Sequence, residues 1–237
     1  MAKKSRTPPP PRPVQAPKVR HDTKERTPRS PRLILAIVAG VVVLALAVGG
    51  IVWAATRGDE GVAASGICEL SSYPGQGQQH SPPYEIPDDF EYNSYPPTSG
   101  PHNPTPAVFG EYPDPVPEEN YLHNQEHGGV TIQYGSRIPD DVVQRLTAWY
   151  RVDPRGLILA PLPQGGKATN LQDKIVMSAW TADREDPSDP TSRITKQEGH
   201  LAVCSDFDEG SFDAFLSDFR GKGPEPFTLD QLQPGGN

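Results

Sequence analysis

Residues Leu33 to Ala55 read LILAIVAGVVVLALAVGGIVWAA, 23 positions without a charged side chain. As an α-helix this run rises ~35 Å, enough to cross a hydrocarbon core about 30 Å thick with some tilt. It predicts a transmembrane helix and so divides everything before it from everything after it. A cleaved signal peptide is the alternative, with Ala63-Ala64-Ser65 as the cleavage site. Its apolar core, however, runs only about 7 to 15 residues, and the basic region here is unusually long for one. Trp53 falls where an interfacial anchor belongs.

The charge on either side of the run sets a direction. Residues 1–32 carry ten Lys or Arg against Asp22 and Glu25, which leaves twelve of the 22 basic and 28 of the 30 acidic residues for the rest of the chain. Basic flanks stay on the cytoplasmic side. The expected topology is single-pass in the cell membrane, N-terminus cytoplasmic, with the C-terminal part extracytoplasmic. Residues 1–32 hold eight prolines and almost nothing to bury, so they read as a disordered, partly polyproline tail, foremost a topology determinant and tether, with contact to anionic lipid or docking of a partner through Pro8 to Pro13 as alternatives. Residues 56–66, TRGDEGVAASG, read as a linker of small residues.

Cys68 and Cys204 are the two cysteines, both beyond the membrane run. In an oxidising compartment an isolated pair is most simply a disulfide, and neither sits in a CxxC pattern that would favour metal or redox chemistry. From Tyr73 to Pro117 the chain is rich in Pro, Gly, Asn and Ser and lacks periodicity, a long loop region with a short strand near Phe90 to Tyr92. Its aromatic residues supply apolar area to pack it down.

Beyond the loop, regular elements are legible. Glu118 and Glu119 suit the first turn of a short helix that Gly128 closes in a left-handed cap. VTIQY (130–134), LILAPL (157–162) and IVMSAW (175–180) read as strands. Between them, Val142, Val143, Leu146, Trp149 and Tyr150 line one face of an amphipathic helix from Pro139 to Arg151, capped by Asp140 or Asp141. Phe212, Phe215, Leu216 and Phe219 form a second helical stripe starting near Ser211. The economical fold is α+β over residues 67–225: a small sheet covered by two helices, with a long Pro-rich loop region, preceded by the transmembrane helix and followed by a flexible tail, 226–237.

The chemistry concentrates between Tyr95 and Tyr134, where three of the six histidines lie. A rigid PPTSGP turn presents His102, while His123 and His127 stand one helical turn apart on one face. Two imidazoles at that spacing and a third from a proline-stiffened loop can form a metal tripod, with Zn or Cu as candidate ions. Met177 would favour copper if it joined, and Glu126 or Glu111 can accept a ring N–H. His123 to His127 also spells H-x-x-E-H, which reads as a zinc-dependent hydrolase with Glu126 as the base. A third reading needs no metal: the imidazoles bond to their own loops, and the exposed Pro- and Tyr-rich segment binds an envelope protein. His80 reads as an exposed loop residue, and His200 as a surface residue or fourth ligand.

The segments YPPTSGPHNP (95–104) and YLHNQEHGGVTIQY (121–134) resemble the two signature blocks of the family catalogued as domain of unknown function 3105. The likeness spans roughly residues 67–225. It implies single-pass bacterial membrane proteins and gives no activity.

Several classes are excluded. The sequence has no phosphate-cradling glycine loop, no G-x-S-x-G elbow and no basic-aromatic surface beyond the membrane run. Twelve basic against 28 acidic residues repel nucleic acid and attract cations. The expected partners are therefore the lipid bilayer, a metal ion and an envelope protein.

Overall fold

The computed structural model describes residues 66–83 and 85–236. The tail 1–32, the run Leu33–Ala55 and nearly all of the linker lie outside the described residues, among which no helix is long and apolar enough to cross a membrane.

The elements in chain order are β1 (Cys68–Pro74), β2 (Gly110–Glu111), α1 (Glu118–Glu126), β3 (Val130–Tyr134), α2 (Asp140–Tyr150), β4 (Leu157–Pro161), β5 (Ile175–Arg184), β6 (Ile194–Cys204) and α3 (Glu209–Phe219). They build one mixed six-stranded sheet in the order β1-β6-β5-β3-β4-β2. β3 and β4 are parallel and joined through α2, as a parallel pair needs a crossover. β5 and β6 form a long antiparallel hairpin, and β1 returns antiparallel to β6 with Cys68 directly opposite Cys204. The α+β expectation holds.

Period-two alternation divides the sheet's side chains between two faces. Val130, Ile132, Leu157, Leu159, Ile175, Met177 and Ala179 point to one of them, where they pack with Val142, Leu146 and Tyr150 of α2 and Phe212 and Phe215 of α3. Burying each of these phenylalanines contributes about 1.5–3 kcal/mol. Met177 is therefore plain core. The opposite face carries Ile158 and Ala160 under Phe109, Val116, Tyr121 and Leu122, so α1 and the Pro-rich loop cover it.

Local details differ from the sequence reading where side chains compete with caps. Pro139, with φ of −58°, takes the N-cap position of α2, and Asp140 and Asp141 fall in the first turn, where their charge is favourable at the positive end of the helix dipole. α3 begins at Glu209 because Asp208 caps it by accepting the Ser211 N–H. Phe90 to Tyr92 is not a strand: the Tyr92 hydroxyl donates to the Pro101 carbonyl at 2.6 Å and Phe90 meets the Tyr92 ring edge-on. Nor do residues 226–236 hang free. Leu232 is 1% exposed, and the Gly156 N–H donates to its carbonyl.

Candidate metal centre

α1 is polar on nearly every side, yet Tyr121 to Glu126 are all buried. It is wedged between the sheet and the Pro-rich loop, and its polar side chains find partners on both. Gln125 Nε2 donates to Ser178 Oγ at 2.7 Å and Thr131 Oγ1 at 3.2 Å, and Asn124 exchanges hydrogen bonds with the Ala107 backbone. The helix ends at Glu126, and Gly128 turns the chain with φ of +89°. A Cβ there would stand 2.8 Å from Gly221 Cα, so the close approach of the two backbones requires glycine.

The loop brings His102 onto this helix. Gly100, at φ of +121°, packs against the Tyr92 ring, and Ser94 and Thr98 share a hydroxyl hydrogen bond of 3.0 Å beneath the turn. His102 is fully buried and its Nδ1 lies 2.8 Å from the Gly100 carbonyl. His80 arrives alongside through a short backbone bridge, in which the Ser81 N–H donates to the His102 carbonyl and the His102 N–H to that of Gln79. From the helix, His123 sets Nδ1 2.9 Å from the Asn103 carbonyl.

Glu126 is the meeting point. Its Oε2 lies 3.0 Å from His102 Nε2 and 3.4 Å from His80 Nε2, while Oε1 accepts from Gln78 Nε2 at 3.0 Å. Ring centroids of His80, His102 and His123 are 4.8–5.1 Å apart. One ligand atom from each of His80, His102, His123 and Glu126 lies within 4.8 Å of the others, a group that can hold a metal ion. Burial pushes the Glu126 carboxyl up, but the hydrogen bond and charge of His102, with Gln78 and His80, outweigh it and hold the group below its ordinary value. Burial lowers the His123 imidazole, against the pull of the Asn103 carbonyl.

His127 takes a different place. Its ring meets His123 edge-on at 4.6 Å, but its ligand atom groups with Glu126 and Glu225. Burial, then the neighbouring His123, brings it down to about 4. Of the sequence trio, His102 and His123 stand in one group and His127 in the next. His80, read as an exposed loop residue, belongs to the site with 36% of its side chain exposed. No periodicity marks it in the Gln-rich stretch, where Gln78, two residues earlier, braces Glu126. Glu111 is elsewhere, paired with Arg151 at 2.9 Å.

His200 is not at the surface. It is buried with Nδ1 3.0 Å from Ser72 Oγ and Nε2 2.8 Å from Thr181 Oγ1, and it stacks on Phe219. It lines a cleft of about 680 Å³ with Thr181, Glu198, Phe219 and Lys222, to which none of the four grouped residues contributes. Cys68 and Cys204 form a disulfide across the β1–β6 pairing, which leaves no free thiol among the described residues.

These features define an α+β domain in which a buried glutamate gathers three imidazoles against a polar helix. The chain belongs to the family DUF3105, protein of unknown function, which matches residues 85–231, so His80 lies just outside the matched span. No curated protein and no solved structure matches the chain.

Proposed function

We propose that this protein is a membrane-anchored extracytoplasmic domain that binds a transition-metal ion through His80, His102, His123 and Glu126. The observation that carries metal binding is the placement of Nδ1 in both His102 and His123 against a backbone carbonyl. An N–H on Nδ1 leaves the lone pair on Nε2, and metal-ligating histidines are commonly oriented in this way. His102 Nε2 then faces a wholly buried carboxylate, and an ion between them serves both lone pairs at once.

Three imidazoles and one carboxylate, without thiolate or thioether, suit a borderline divalent ion such as Zn²⁺ or Cu²⁺. Hydrolysis by the H-x-x-E-H pattern is less favoured, because Glu126 stands among the ligands with Gln78, His80 and His102 on its oxygens. Anchoring is supported by the Leu33–Ala55 run and its basic flank. The disulfide suits an oxidising compartment.

The test is elemental analysis of the purified full-length protein in detergent, followed by titration with Zn²⁺ and Cu²⁺. At least one equivalent should bind. His80→Ala should weaken that binding by at least about 10-fold while the metal-free protein keeps its fold by circular dichroism. Protein that is isolated without metal and ignores both ions at micromolar concentration would exclude the proposal.

A further inference from the structure

We propose that Glu126 is shared between two cations, the second held by His127 and Glu225. This rests on the reading of the first group as a metal site. One ligand atom from each of Glu126, His127 and Glu225 lies within 4.8 Å of the others. His127 Nε2 and Glu225 Oε2 are 4.0 Å apart, too far for a hydrogen bond. Ligands bonded to one tetrahedral ion at ~2.0–2.2 Å stand about 3.3–3.6 Å from each other, so the half-exposed Glu225 side chain has only a short way to move to share an ion with His127.

Glu225 is not a stray surface carboxylate. Its N–H donates to the Glu126 carbonyl at 2.9 Å, and two residues on the Phe227 N–H donates to the His127 carbonyl at 3.2 Å. The segment 223–227 is thereby laid along the end of α1, where Gly223 passes so close to the Glu126 carbonyl that a Cβ would collide with it. The His127 ring is held between Phe227, stacked at 4.2 Å, and the edge of His123. A carboxylate has two oxygens and about four lone-pair sites, so Glu126 has the capacity to serve both ions. Two-metal sites commonly place their ions ~3.5–4 Å apart and bridge them with a shared ligand, the part that Glu126 would take between the two groups.

The experiment is Zn²⁺ stoichiometry by calorimetry and elemental analysis on the full-length protein, alongside Glu225→Gln and His127→Gln. Glu225 is 56% exposed, so its variant tests the site without disturbing the core. Two equivalents in the parent and one in each variant are expected. One equivalent in the parent, unchanged in Glu225→Gln, would overturn the second site and leave the first standing. Two equivalents in all three proteins would also overturn it, by placing the second ion elsewhere. No binding in the parent would remove both proposals. If His127→Gln fails to fold by circular dichroism, Glu225→Gln decides the matter.

Discussion

His102 Nε2 lies 3.0 Å from Glu126 Oε2, and neither side chain has any solvent exposure. The two residues are joined from a proline-stiffened loop and the last turn of a helix, so their contact locks the loop onto α1. A buried carboxylate next to an imidazole is stable only while its partners stay in place, since an unpaired buried charge costs several kcal/mol. Such a pair is held in place by the packing around it.

Glu126→Gln tests the part this carboxylate takes in the proposed metal site. The amide keeps the volume but loses the charge and one acceptor oxygen, so Zn²⁺ affinity should fall by at least about 100-fold in a chelator competition. Metal-free protein should lose about 1–3 kcal/mol in urea denaturation, because one acceptor becomes a donor. Unchanged affinity would mean that Glu126 is not a ligand.

His200 makes stability depend on pH independently of the site. Burial lowers its imidazole in the fold below the ordinary value near 6.5. The unfolded chain therefore takes up a proton first on acidification. The stability is complete above about pH 6.5 and is lost as pH falls toward the folded value, by at most ~1.4 kcal/mol per pH unit. Denaturation curves between pH 7.5 and 5 should be steeper for the parent than for His200→Gln, and parallel curves would count against this assignment.

The Cys68–Cys204 disulfide closes a loop with a sequence separation of 136. In the chain-entropy picture this is worth up to ~5 kcal/mol. The double variant Cys68→Ser/Cys204→Ser should lose about 2–5 kcal/mol, and reductant should lower the midpoint of the parent but not of the variant. Because Cys68 and Cys204 are already paired across β1 and β6, β1 should still dock in the variant. Loss of the whole sheet by circular dichroism would contradict that.

Much of the scaffold was legible because its elements bury a face by periodicity. Val142, Leu146 and Tyr150 repeat at helical spacing, and Phe212 and Phe215 do the same in α3. α1 offered no such pattern, since HNQE is polar and its burial comes from partners on the loop and sheet. That also hid His80, which comes from a glutamine-rich loop and reaches the site through a backbone bridge to His102. His200, near Cys204 in the sequence, reads as a surface residue or fourth ligand because a lone histidine gives no sign of burial until Ser72 and Thr181 are seen on either side of it.

By itself, the sequence determined an apolar run long enough to span a bilayer, two cysteines able to pair, the three helices and the strands β3, β4 and β5, and a histidine-rich centre between Tyr95 and Tyr134. Those are properties of local composition and spacing, and they survive without knowledge of the packing. Only the tertiary structure decided which imidazoles meet, that Glu126 stands among them, and that His127 faces Glu225 instead. Side chains 48 positions apart, as in Gln78 and Glu126, come together by loop packing against a helix, and one-dimensional spacing carries no record of that distance.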